Sequence, residues 1–193
     1  MERELQRHDW GVMKVVAIVG MSGSGKSEVA RAFEEKGFER IRFGDLTDRE
    51  VLRRGLELNE ENERHVRERL REEHGMAAYA KLNLPAIDAA LQRSNVVVDG
   101  LYSWEEYKLL KEHYGEDFLV VTVYSSPGTR QERLSRRPIR PLTVSESVSR
   151  DFAEIENLGK GGPIAMADFT LINESSLERL REETERLIAA LAS

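Results

Sequence analysis

Apolar side chains follow two alternating rhythms along this chain. From Lys14 to Val19 they form a short run rich in β-branched residues, the pattern of a strand covered on both faces within a parallel sheet. Glycines follow at once, and from Lys26 to Lys36 the residues Val29, Ala30 and Phe33 recur at helical spacing before Gly37 supplies a stop. Phe38 to Phe43 alternates apolar and polar residues and predicts a second strand, ended by Gly44-Asp45. Asp45 to Arg93 then reads as helix almost throughout, with breaks near Gly55, Gly75 and Pro85. Asn95 to Val98, Phe118 to Tyr124 and Phe169 to Ile172 predict three further strands. Helices are expected from Trp104 to His113, from the Ser126 cap and Pro127 to Arg136, and from Val144 to Leu158. Gly159 to Pro163 reads as a loop, and Ser175 to Leu191 as a last helix in which Ser175 and Glu178 have capping-box spacing.

Strands alternating with helices predict an α/β protein with a doubly wound parallel sheet, because right-handed crossovers return the chain to the same edge. Ligands then lie beyond the carboxyl ends of the strands. Gly20, Asp45 and Asp99 fall at such ends, so one crevice is expected to hold the chemistry. The stretch 45–93 is longer than a crossover needs and is expected to form a substrate-side insertion. A length of 193 residues suits one core, spanning 13–193. Residues 1–12 are polar and charged, lack the apolar centre of a secretory signal, and read as a disordered extension before Met13.

Composition narrows the function classes. With 33% charged and 40% hydrophobic residues the chain is neither a membrane-spanning nor a low-complexity sequence. A formal net charge of -6 argues against a general affinity for nucleic acid, which needs a basic surface that releases counterions. The absence of cysteine removes disulfides and thiolate metal sites and fits the reducing cytoplasm, the expected location. None of these patterns bears on oligomeric state.

Gly20-Met21-Ser22-Gly23-Ser24-Gly25-Lys26-Ser27 satisfies G-x-x-x-x-G-K-[ST] between a buried strand and a helix. Glycines let the backbone approach phosphates closely, and successive N–H groups with the helix N-terminus attract negative charge. Lys26 is expected at the β and γ phosphates, and the Ser27 hydroxyl on Mg²⁺. The motif predicts binding of ATP or GTP, ATP being preferred, and leaves open whether the phosphoryl group goes to water or to another molecule. Asp99, after an apolar strand, suits a carboxylate that holds a Mg²⁺-bound water or orients the attacking oxygen; the alternative is an Asp-Gly turn. Arg130, Arg133, Arg136, Arg137 and Arg140 crowd the end of a helix and a proline-flanked turn. Arg133 and Arg137 are expected on one helix face, where they would stabilise a transferring phosphoryl group; a solvated basic helix end is the alternative.

The phosphate loop is accompanied by Leu70-Arg71-Glu72-Glu73-His74-Gly75-Met76, by the Asp99-Gly100 strand end, and by Ala167-Asp168-Phe169-Thr170-Leu171-Ile172-Asn173-Glu174. On these stretches the chain resembles the small P-loop kinases of the adenylate, cytidylate and dephospho-coenzyme A kinase type. It is most similar to the archaeal adenylate-kinase-related proteins of unassigned substrate. The resemblance implies a five-stranded sheet of the P-loop nucleotide kinase type, an acceptor-binding helical insertion over 45–93 and a short lid over 133–150. In such kinases a Gly-Asp pair ending the second strand opens the acceptor helices, which puts Asp45 and Arg49 near the acceptor. A helix N-cap is the other reading of Asp45. Arg150 begins the far side of the lid, and Asn173 falls where similar kinases cradle the purine with backbone groups. Adenylate kinases place an arginine shortly after the Asp-Gly, where this chain has Leu101 and Tyr102, so an acceptor phosphate needs another cation.

The function expected is transfer of the γ-phosphoryl of Mg-ATP to a nucleoside monophosphate or similar nucleotide, with no membrane or nucleic-acid partner. Two rivals are a dephospho-coenzyme A kinase, whose acceptor is a ribose hydroxyl, and a regulatory module that binds ATP and hydrolyses it slowly.

Overall fold

Val15–Val19, all five buried, form β1, and the chain leaves it through the glycine loop into α1, Lys26–Glu35. The computed structural model describes residues 13–138 and 141–191; the expected extension 1–12 and Arg140 lie outside the described residues. After β2, Glu39–Arg42, come α2 (Gly44–Arg53), α3 (Glu60–His74) and α4 (Ala78–Leu91). Then follow β3 (Val96–Asp99), α5 (Trp104–Tyr114), β4 (Phe118–Tyr124), α6 (Pro127–Ser135) and α7 (Val144–Glu156). A short helix α8 (Gly161–Ala165), β5 (Phe169–Ile172) and α9 (Leu177–Leu191) complete the chain.

The five strands run parallel in the order β2-β3-β1-β4-β5, with β1 central. Side chains of successive strand residues point to opposite faces. Val15, Ala17, Val19, Val96, Val98 and Val120 accordingly pack with residues of α2 to α5, while Val16, Ile18, Val97, Val121 and Val123 pack against α1 and α9. Covering both faces explains why β1, β3 and β4 read as mostly apolar runs. No helix among the described residues is long and apolar enough to cross a membrane.

Three local expectations are corrected. Pro85 lies inside α4 and does not break it; it is exposed, while Tyr79, Asn83, Ile87 and Ala90 of the same helix are buried and hold it in place. The segment expected as a loop at 159–163 contains the start of α8, whose Pro163 is buried. The cap of α9 is Ser176, whose hydroxyl accepts from the Arg179 N–H at 3.3 Å, so the Ser175–Glu178 spacing is not used.

A capping box unnoticed in the sequence opens α5: Ser103 accepts from the Glu106 N–H, and the Glu106 carboxylate accepts from the N–H groups of Tyr102 and Ser103 at 2.8 and 3.2 Å. Glu106 is fully buried, and burial pushes its carboxyl up from the ordinary 4.5 to about 7. A raised carboxyl pKa favours the protonated folded form, so that stabilisation is complete below about pH 4.5 and is lost as pH rises to about 7. Glu106→Gln keeps an acceptor for the two N–H groups and removes the ionisation. Wild type is therefore expected to lose on the order of 3 kcal/mol relative to the variant across this window, measured by urea unfolding at pH 4.5 and 8. Parallel pH dependence in the two proteins would contradict the assignment.

The helix α7 is reversed in polarity. Ser147, Asp151 and Glu154 face inward, whereas Val144, Val148, Phe152 and Ile155 are exposed. A helix ordinarily turns its apolar stripe to the core. Here the polar side covers the glycine loop, to which Ser22 and Glu154 contribute a buried hydrogen bond of 2.8 Å.

Candidate functional site

Gly20, Gly23 and Gly25 all have positive φ, of 148°, 84° and 100°. A Cβ at Gly20 would strike the Val123 carbonyl oxygen, and one at Gly25 the Asn173 amide nitrogen, so close approach as well as backbone conformation demands glycine. Gly25 caps α1 without any side-chain cap, and the N–H groups of Lys26 and Ser27 have no acceptor among the described residues. They are available to an anion, which is the fit a polyphosphate requires. Lys26 reaches back across the loop to the Met21 carbonyl oxygen at 2.8 Å. Its ammonium is held down at about 7, first by burial and then by Lys160, against the opposing pull of Glu154 and Asp99.

Glu154 gathers donors from three directions: Ser22 Oγ at 2.8 Å, Lys160 Nζ at 2.8 Å and Arg150 Nε at 3.3 Å. Burial works against its ionisation, yet Lys160 and Lys26 keep its carboxyl at about 2. Beside the loop, Asp99 at the end of β3 pairs with Arg40 Nη2 of β2 at 2.5 Å, and its main-chain oxygen accepts from the Phe43 N–H. A cleft of about 470 Å³ is lined by Ser27, Glu34, Arg40, Arg42 and Asp45. Ser27 of the phosphate loop thus shares one cleft with residues of β2 and the first turn of α2. No cluster of three or more acidic or histidine ligands stands among the described residues.

Residues 16–158 match the family model described as an AAA domain. A UPF0200 protein of Thermococcus kodakarensis is 39% identical over 183 residues, covering 93% of this chain and 98% of that protein. The chain belongs to the UPF0200 family. A second UPF0200 protein, from Hyperthermus butylicus, is 38% identical over 179 residues, 92% of this chain and 94% of its own. Among solved structures, a gluconokinase from Sinorhizobium meliloti aligns over 93% of both chains with TM-score 0.58 and 19% identity. A shikimate kinase from Acinetobacter baumannii in complex with shikimate aligns over 92% of this chain and 94% of its own, with TM-score 0.55 and 19% identity. These likenesses show the fold, that of the small P-loop kinases.

Within this UPF0200 chain the residues singled out from sequence fall into two groups. Gly20, Ser22, Gly23, Ser24, Gly25, Lys26 and Ser27 form the loop, and Asp99 and Asp45 flank the adjoining cleft. Asp45 does not cap α2, whose N-cap is Phe43; it sits in the first turn and pairs with Arg42 at 2.9 Å. Arg49 is exposed on α2. The lid arginines are dispersed. α6 ends at Ser135, so Arg133 and Arg137 do not share a helix face as expected. Arg133 donates to Ser125 Oγ at 3.0 Å and Asn173 Oδ1 at 3.2 Å, whereas Arg137 stands near Arg150, and burial with that neighbour lowers its pKa. Arg150, expected on the far side of the lid, points to Glu154 and contributes to the field at Lys26. Asn173 has both main-chain groups paired, to Tyr124 and Ser125, and its side-chain amide donates to the Ser24 carbonyl oxygen at 2.8 Å. It braces the loop from below. Lys160, Glu154 and Arg40 were not anticipated: none belongs to a motif, and the register of β2 on β3, the inner face of α7 and the turn between α7 and α8 bring them in.

Proposed function

We propose that the protein transfers the γ-phosphoryl group of Mg-ATP to a nucleoside monophosphate or similar nucleotide. The observation that carries this reading is a single cleft lined at once by Ser27 of the phosphate loop and by Arg40, Arg42 and Asp45 on the acceptor side. In-line transfer requires donor and acceptor oxygens to be held together, and catalysis then consists of positioning and charge stabilisation. Lys26 and the loop N–H groups would hold the β and γ phosphates. Magnesium, bound by Ser27 directly and by Asp99 through water, would neutralise developing charge. Asp45, Arg49 and the neighbouring Arg42 would orient an anionic acceptor delivered by the helices of 45–93. The segment 133–150, with Arg137 and Arg150, would act as a lid that excludes water. Arg133, with Asn173, would shape the loop end nearer the purine. The polar inner face of α7 supports this, since it already covers the loop.

A coupled assay of ADP or GDP release across nucleoside monophosphates, dephospho-coenzyme A and water tests the reading. Release with one nucleoside monophosphate well above the water background is the expected result. Turnover with dephospho-coenzyme A alone would move the acceptor to a ribose hydroxyl. Slow release that no acceptor accelerates would leave only a nucleotide-binding regulator.

A further inference from the structure

Lys160 is almost completely buried, with 2% of its surface exposed. A buried ammonium requires compensation, and a second ammonium nearby makes the requirement greater. Among the described residues Lys160 has one hydrogen-bond acceptor, Glu154 Oε2 at 2.8 Å, for three N–H donors. The face of the Tyr102 ring lies 5.6 Å from its nitrogen. Tyr102 follows the Asp99-Gly100 strand end. Its hydroxyl lies against Gly44 at the start of α2. Lys160 therefore sits between the phosphate loop and the acceptor helices.

Its seat is rigid. Gly159 has a φ of 59°, and a Cβ at Gly162 would come within 2.6 Å of the Trp104 ring, so the turn carrying Lys160 is packed directly on that indole. The Lys160 N–H also donates to the Glu154 main-chain oxygen at 3.2 Å. Such support for a buried charge is the arrangement of a preorganised site and not of a solvated surface lysine.

We infer that Lys160 is a second phosphate-binding cation of this site, kept in reserve by Glu154 and transferred to the γ-phosphoryl group when a nucleoside triphosphate enters the loop. The inference rests on the phosphotransfer reading and deepens it by naming a second cation for the transferring phosphoryl group. Glu154 acts as an internal anion: its carboxylate engages Ser22 of the loop, Arg150 and Lys160 together, donors that a phosphate oxygen can also satisfy. Entry of the γ-phosphate frees the ammonium from Glu154 without any covalent step. On this assignment the residue distinguishes triphosphate from diphosphate.

Titration calorimetry with magnesium, on the intact chain, compares ADP with a non-hydrolysable ATP analogue for wild type, Lys160→Met and the double variant Glu154→Gln/Lys160→Met. The double variant leaves no unpaired buried charge and covers the case in which the single change fails to fold. The analogue is expected to bind about tenfold more weakly to the folded variants, with ADP affinity changed less than about twofold. Equal weakening of both ligands would make Lys160 a structural residue, and wild-type affinity for both would overturn the inference, as would a wild type that binds neither ligand. A wild type that shows the γ-phosphate dependence yet transfers to no acceptor would defeat the phosphotransfer reading and leave Lys160 as assigned.

Discussion

Lys26→Met is expected to lower phosphoryl transfer by about a thousandfold while leaving the protein at least as resistant to thermal unfolding as wild type. The first half follows from geometry: the ammonium is the loop's only side-chain cation, and removing one preorganised charge from a transferring group costs about two to three orders of magnitude in rate. The second half follows from electrostatics. Burial and the nearby Lys160 hold the Lys26 pKa at about 7, below its ordinary 10.5, so the charged form is less stable folded than unfolded. That penalty is absent above about pH 10.5 and grows as pH falls to about 7, so the variant's advantage in melting temperature should increase over the same interval. The Met21 carbonyl oxygen keeps the Ser24 N–H as a donor at 3.2 Å, so no acceptor is orphaned. Turnover and melting curves measured together decide the matter. A variant within tenfold of wild-type turnover, or one that melts well below it, would show that Lys26 serves the fold more than the phosphates.

The phosphate loop was legible because its constraints are local. A buried strand, three glycines at fixed offsets and a helix start all lie between Val15 and Lys26, and each has a physical cause acting on its neighbours. The central strands β1, β3 and β4 were legible for the same reason, being mostly buried apolar runs, and β2 was legible by its alternation of apolar and polar residues. What escaped was long-range pairing between charged residues. Arg40 lies 59 positions before Asp99, and Ser22 lies 132 before Glu154. No periodicity links such residues, since each sits in an element whose apolar pattern is set by other positions. Clustered arginines are a related case: five in one stretch suggested a common role, but among the described ones Arg130 pairs with Asp151, Arg133 with Ser125 and Asn173, and Arg136 with Glu132.

The pairing of Arg40 with Asp99 bears on how metal and acceptor are coupled. Asp99 is buried and its carboxylate is already engaged by a guanidinium that also reaches Glu34 at 3.4 Å. A cation that approached Asp99 through water would share the carboxylate with Arg40, whose side chain lines the cleft assigned to the acceptor. On the proposed reading, donor-side and acceptor-side charges would be linked through one buried carboxylate, and a change at either would be felt at the other.

Arg130→Ala is expected to cost about 3–5 kcal/mol of stability, lowering the melting temperature by about 10 °C. This residue belongs to the same arginine cluster as Arg133 and Arg137, yet its surroundings are those of a structural tie. Its guanidinium makes a bidentate pair with Asp151 of α7 at 2.7 and 2.8 Å and donates to the main-chain oxygens of Ser125 and Ser22 at 3.1 and 3.2 Å. Its side chain is 5% exposed and that of Asp151 14%, so truncating the arginine strands a largely buried carboxylate and frees the glycine loop from α6 and α7. Replacing both partners, as Arg130→Met with Asp151→Leu, should recover most of the loss, because two apolar groups of similar volume can fill the space without an unpaired charge. Arg137→Ala is the contrasting case: the side chain has burial and Arg150 against its charge, so its removal should leave the melting temperature within about 2 °C while slowing transfer. If Arg130→Ala melts like wild type, the bidentate pair contributes little, and the docking of α7 on the loop must depend instead on the Ser22–Glu154 hydrogen bond.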